Sequence, residues 1–211
     1  MTSIEAARTT TRRIPRVVVI STRGIRAILV AVIAAIAKPL GYRLIRVQHR
    51  GALGVADGAV PIGTTVFDDE IPGVANLDPA LLGALRQAAK AAEDDDVEFI
   101  VNSGWRSPGY QEQLLREAIS KYGSAAEAAR WVATPETSPH VKGEAVDIGR
   151  SARAWLSEHG AEYGLCQIYR NEPWHYELRP DAIEHGCPPM YADPSQDPRM
   201  RRGPDRHRQR S

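Results

Sequence analysis

The sequence has only two cysteines, Cys166 and Cys187, and no CxxC pair, so a zinc finger or zinc ribbon has no ligands to form from. It has no glycine-rich phosphate loop, and no HExxH that would set two histidines one helical turn apart. Those absences remove the usual nucleotide-binding motif and the helical metalloprotease site. Excess charge of one sign is missing too: 27 Lys and Arg face 26 Asp and Glu, a net charge of +1, which argues against a dedicated nucleic-acid binder. The uncharged run from Ala27 to Ala37 falls short of the ~20 residues that a membrane-spanning helix needs. No internal repeat is evident. With 211 residues, 43% of them hydrophobic, the chain can bury a sizeable core without many disulfides.

What is there begins with a basic leader. Arg12, Arg13, Arg16, Arg23 and Arg26 precede the apolar run, giving it the flank and length of a signal-peptide core. Ala35-Ile36-Ala37 offers a small-residue cleavage pattern, while the long leader and Pro39 equally suit an uncleaved anchor. Residues 1–37 are therefore read as signal peptide or signal anchor, 38–65 as a linker, 66–193 as the catalytic domain and 194–211 as a disordered basic tail. The expected location is extracytoplasmic, either secreted or attached to the membrane through the apolar segment. In that oxidising setting Cys166 and Cys187 could close a loop worth about 3 kcal/mol on the chain-entropy argument; two small buried thiols are the alternative.

The chemistry concentrates in two clusters, Ser138 to Asp147 and Glu172 to His175. A catalytic zinc takes three His or carboxylate ligands and leaves a position for water, while a further acid must stay off the metal to move a proton. His140, Asp147 and His175 can be the ligands and Glu172 the free base. Ala145 to Ile148 and Trp174 to Leu178 read as short strands, each presenting one ligand opposite its apolar neighbours. Gly143 and Pro173 break the runs, so that the odd offset between His140 and Asp147 does not hold them on opposite faces.

Ser138, His140, Gly143, Ala145 and Asp147 form SxHxxGxAxD, followed by Glu172, Trp174 and His175 as ExWH and preceded by Ser103-Gly104-Trp105-Arg106-Ser107 with Gln111. This ordered set resembles the VanY-type D-alanyl-D-alanine carboxypeptidases, zinc peptidases of hedgehog/DD-peptidase-like fold that trim bacterial cell-wall peptides. The resemblance implies that His140, Asp147 and His175 hold Zn2+, that Glu172 activates water, and that Arg106 stabilises the oxyanion on the scissile carbonyl. It makes Ser138 and Gln111 candidates for holding substrate or orienting the ligands. The implied partner is a peptidoglycan stem peptide ending in D-Ala-D-Ala. A D,D-dipeptidase or L,D-endopeptidase of the same family is one alternative, and a non-catalytic zinc-stabilised wall-binding module is another.

The remaining pattern predicts an α+β domain, with a small antiparallel sheet carrying the site and helices packed on one side. Helices are expected from Pro79 to Ala92 with Asp78 as cap, from Pro108 to Tyr122, from Ala125 to Val132 and from Ala152 to His159, with a strand from Val97 to Asn102. His49, His159, His185 and His207 read as surface or packing residues. Trp105, Trp131, Trp155 and Trp174 read as core aromatics, with Trp174 beside the metal, and Glu144 and Glu177 as solvated strand residues.

Overall fold

A computed structural model describes residues 53–201 of the chain. The signal or anchor expected at 1–37, the first part of the linker, and residues 202–211 lie outside the described residues. Three helices exceed a single turn among them: α1 (Pro79–Ala91), α2 (Pro108–Tyr122) and α3 (Arg150–His159). Each of the first two starts with proline behind a capping side chain. Asp78 accepts from the Ala80 and Leu81 amides, and Ser107 accepts from the Tyr110 amide. Single helical turns lie at Pro72–Ala75, Ala125–Ala128 and Ala182–His185, so the helix expected up to Val132 stops four residues earlier.

The strands are β1 (Val101–Ser103), β2 (Ala145–Ile148), β3 (Leu165–Gln167) and β4 (His175–Leu178), in the order β1-β2-β4-β3 with every neighbour antiparallel. Register decides what each face carries. Val146 stands opposite Tyr176 and Leu165 opposite Leu178, whereas Asp147 stands opposite His175 and Cys166 opposite Glu177. Alternation thus sorts the apolar side chains to one face and the ionisable ones to the other. On the apolar face Val146, Ile148, Leu165 and Tyr176 pack with Leu81, Leu85 and Ala88 of α1 and Ala152 and Leu156 of α3, forming the main core. Helix α2 contributes nothing to that cluster. Its Gln111, Leu114 and Tyr122 instead border the cavity over the ionisable face.

Two boundaries differ from the sequence reading. The part of the expected linker that is described, from residue 53, is built into the domain: Thr64 O accepts from Val101 N at 2.8 Å and Asp57 O from Ser107 N at 2.8 Å. Within that part, Val60 packs against the core and Thr64 is 5% exposed. These ties are mainly backbone hydrogen bonds, which leave no side-chain period to read. The expected tail likewise begins too early at 194. Pro194–Gln196 and Pro198–Arg201 form 3-10 turns, and Asp197 is fully buried. Charge and proline content suggested disorder there, but Asp197 and Arg199 are held in ion pairs.

Cys166 and Cys187 are joined by a disulfide, Cα to Cα 5.6 Å, which ties β3 to the chain beyond Ala182–His185 across 21 residues. Reduction, or Cys187→Ala, is expected to lower unfolding free energy by about 3 kcal/mol in denaturant titrations; an unchanged midpoint under reducing conditions would contradict that contribution.

Candidate metal centre and active site

Asp147 and His175 reach the site from adjacent strands as a directly opposed pair. His140 arrives from the loop before β2, and two glycines make its approach possible. Gly143 has φ +76, and a Cβ there would lie 2.4 Å from Asn76 O. Gly104 sits so close to Gly73 that a Cβ would lie 1.9 Å from its carbonyl oxygen. Gly104 O accepts a hydrogen bond from His140 Nδ1 at 2.8 Å.

This bond settles the imidazole's direction. With Nδ1 donating to a carbonyl, neutral His140 turns the lone pair of Nε2 inward. His175 is held the other way round: its Nε2 faces Glu177 Oε1 at 3.2 Å, so Nδ1 points inward. Asp147 divides its two oxygens. Oδ2 accepts from Arg106 Nη2 at 2.9 Å, while Oδ1 is buried without a hydrogen-bond partner. His140 Nε2, His175 Nδ1 and Asp147 Oδ1 consequently form a triangle with edges of 3.2, 3.4 and 3.4 Å.

That triangle fits a metal ion. Tetrahedral zinc with bonds of about 2.0–2.1 Å has ligand-to-ligand edges of about 3.3–3.4 Å. Three inward acceptors at this spacing repel one another unless a cation or a proton lies among them. His140, Asp147 and His175 are also the one group of potential metal ligands that converges in this way among the described residues.

The titration of the metal-free site follows the same logic. Burial lowers the pKa of His140, and the Arg106 charge adds to that; Asp147 opposes it only in part. Burial would also lower His175, but the adjacent carboxylates of Asp147 and Glu177 prevail and raise it to about 9. Burial opposes the charge on Asp147, yet His140, His175 and Arg106 hold its carboxyl well below the usual range. A proton on His175 thus takes the place that a cation would hold.

Glu172 stands apart. It is 7% exposed, its Oε2 is 3.9 Å from His175 Nδ1, and it is not one of the three converging ligands. Burial raises its pKa to about 7, with His175 and Arg106 pulling the other way. The backbone turn Glu172-Pro173-Trp174-His175 closes with His175 N donating to Glu172 O at 3.0 Å, which sets this carboxyl beside the triangle. A carboxyl that titrates near neutrality can both take and return a proton.

Arg106 and Gln111 are less free than expected. Arg106 bonds Ser103 Oγ, Gln111 Oε1 and Asp147 Oδ2 at 2.9, 3.1 and 2.9 Å. Gln111 is 1% exposed and spends its amide nitrogen on Ala133 O at 2.8 Å, so it orients Arg106. Ser138 lines the cavity. This cavity, of about 450 Å³, is bounded by Arg106, His140, Glu172 and Trp174 on one side, and by Tyr122, Trp131 and Met200 elsewhere on its wall.

Two sequence readings need correction. Glu177 is 1% exposed and ion-paired, not solvated. Its place two residues after His175 on one strand was the available signal, because alternation puts both on one face. Trp131 lines the cavity, its ring stacked on Tyr122 at 5.9 Å and 11°, and is not a core aromatic. Tyr169, whose ring lies 5.0 Å from that of His175, gave no sequence signal.

A four-stranded antiparallel sheet with three ligands converging beside a separate acid defines a small α+β protein with a candidate mononuclear metal centre. The chain belongs to the VanY family, described as D-alanyl-D-alanine carboxypeptidase, whose pattern matches residues 75–181. It is 32% identical over 139 residues to a D-alanyl-D-alanine carboxypeptidase of Enterococcus faecalis (strain ATCC 700802 / V583), the match covering 52% of each chain. The chain thus spans about half the length of this curated relative. Among solved structures it resembles a mutant of the vancomycin-resistance D,D-pentapeptidase VanY in complex with Zn(II), at 31% identity and TM-score 0.47, over 52% of this chain and 75% of that one. It also resembles VanYB in complex with D-alanine-D-alanine, at 30% identity and TM-score 0.47, over 52% and 74%. No helix among the described residues is long and apolar enough to cross a membrane.

In the metal-free protein the Glu172 carboxyl is expected to titrate near pH 7, protonated below and ionised above, in 13C NMR of labelled protein. Glu172→Gln should remove that titration. A midpoint near the ordinary glutamate value of about 4.3 would contradict the burial argument.

Proposed function

We propose that this chain is a zinc-dependent D,D-carboxypeptidase that removes the terminal D-Ala from peptidoglycan stem peptides outside the cytoplasm. The observation that carries the reading is the triangle of His140, Asp147 and His175 with the separate, neutral-range acid Glu172 at its edge. Family membership supplies the substrate class. A structural metal site needs closed coordination, whereas three ligands opening onto a cavity leave room for water and a carbonyl.

A zinc ion held by these three residues would polarise the scissile carbonyl and make a water easier to deprotonate. Glu172 takes the proton from the attacking water as it adds to the carbonyl carbon of the penultimate residue. Protonated Glu172 then hands that proton to the departing amine of the terminal D-Ala, so the same group is base and acid in turn. Arg106, fixed by Ser103, Gln111 and Asp147, holds a positive charge at the cavity where the carbonyl oxygen gains negative charge. The Tyr122–Trp131 stack offers an apolar wall for the body of the peptide.

Purified protein is expected to release D-Ala from a pentapeptide stem ending in D-Ala-D-Ala, with activity lost to a chelator and restored by zinc. Glu172→Gln should lower kcat by at least about 100-fold while zinc content stays at one per chain. Release that survives exhaustive chelation, or normal turnover in that variant, would reject the mechanism. No release from folded, zinc-loaded protein would move the reading to another peptide bond or to wall binding.

A further inference from the structure

Glu177 is buried on the ligand face of β4, two residues after His175, and its Oε1 faces His175 Nε2 at 3.2 Å. A carboxylate that deep keeps its charge and orientation only if cations hold it. Arg199 does so on both oxygens: Nη1 donates to Oε2 at 2.7 Å and Nη2 to Oε1 at 3.1 Å. The guanidinium is itself gripped from behind by Asp197, whose Oδ2 accepts from Nε at 2.9 Å and from Nη2 at 2.6 Å. Asp197, fully buried, also accepts from the Tyr169 hydroxyl at 3.0 Å, and the Tyr169 ring packs on His175. His175, Glu177, Arg199, Asp197 and Tyr169 therefore form a closed ring of contacts.

Arg179 also donates to Glu177, at Oε2, but its other side-chain bond goes to the Leu178 carbonyl. Of the two arginines, it is Arg199 that bonds the oxygen facing His175 and links it to the chain beyond residue 193. Arg199 lies past residues 75–181, the part matched by the family.

We propose that Arg199 is a positioning residue for the metal centre. By clamping Glu177 it fixes the tautomer and ring direction of His175, and the segment from Asp193 to Met200 is a strap that sets metal affinity. A planar fork with several donors suits this role, because it addresses both oxygens of Glu177 and Asp197 from fixed directions, which the point charge of a lysine does not. The role rests on the zinc reading above and requires no change in the reaction itself.

The test measures zinc affinity of the metal-free full chain by competition with a chromophoric chelator, for wild type, Arg199→Ala, Arg199→Lys, Glu177→Gln and the double variant Arg199→Ala/Glu177→Gln. Circular dichroism of each metal-free protein reports folding. Arg199→Ala is expected to weaken zinc binding by about 10–100-fold, and Arg199→Lys by less. In the Glu177→Gln background the loss from Arg199→Ala should vanish, since the effect passes through Glu177. Unchanged affinity in Arg199→Ala, or the same loss in both backgrounds, would overturn the proposal. Where Arg199→Ala fails to fold, the same cycle is read with Arg199→Lys. A wild-type chain that takes up no zinc would refute the metal reading and this role with it, whereas zinc uptake indifferent to residue 199 would refute this role alone.

Discussion

The antiparallel pairing of β2 with β4 is the constraint on which the rest depends. It sets Asp147 opposite His175 and, one residue away, Val146 opposite Tyr176. A slip of one residue would send the two ligands into the core and two large apolar groups into the cavity. What prevents the slip is the apolar side, where Val146, Ile148, Leu165 and Tyr176 are all at most 2% exposed against α1 and α3. Each such side chain contributes about 1.5–3 kcal/mol by leaving water, so misregister would forfeit several at once. The core thus fixes the metal geometry from the far side of the sheet.

Register alone leaves the ligands free to rotate, and the chain removes that freedom with a separate outer partner for each. The Gly104 carbonyl holds His140, Glu177 holds His175 and Arg106 holds one oxygen of Asp147. These partners come from two segments, Gly104 and Arg106 from the loop after β1 and Glu177 from β4, and each leaves one lone pair facing the common centre. The consequence is electrostatic frustration in the metal-free protein, expressed as a His175 that keeps its proton to about pH 9 and an Asp147 that stays ionised while buried. A divalent cation relieves both at once. Glu172 feels the same burial, which outweighs the pull of His175 and Arg106 and raises its pKa to about 7.

Much of this was legible in the sequence where chemistry is local. The capped starts of α1 at Asp78-Pro79 and of α2 at Ser107-Pro108 are short-range signals, and the alternation in Ala145 to Ile148 identified β2. The motif residues His140, Asp147 and His175 do converge, with Glu172 beside them. Arg106, read as acting on substrate, and Gln111, read as holding substrate or orienting the ligands, spend most of their bonds on the scaffold, because sequence shows a donor but not what occupies it. Glu177 could have been placed by alternation, yet a charged residue on a strand is solvated by default unless its partners are known. Arg199 could not have been placed: a basic, proline-rich stretch looks the same in a solvated tail and in a strap, and only a contact across 22 residues distinguishes them.

The most direct test of the central claim is zinc-edge anomalous diffraction from crystals of the protein grown with zinc. A single strong peak within bonding distance of His140 Nε2, Asp147 Oδ1 and His175 Nδ1, with Glu172 outside the coordination sphere, is the predicted result. A peak bound through Glu172, or none among these three atoms in zinc-saturated protein, would contradict it.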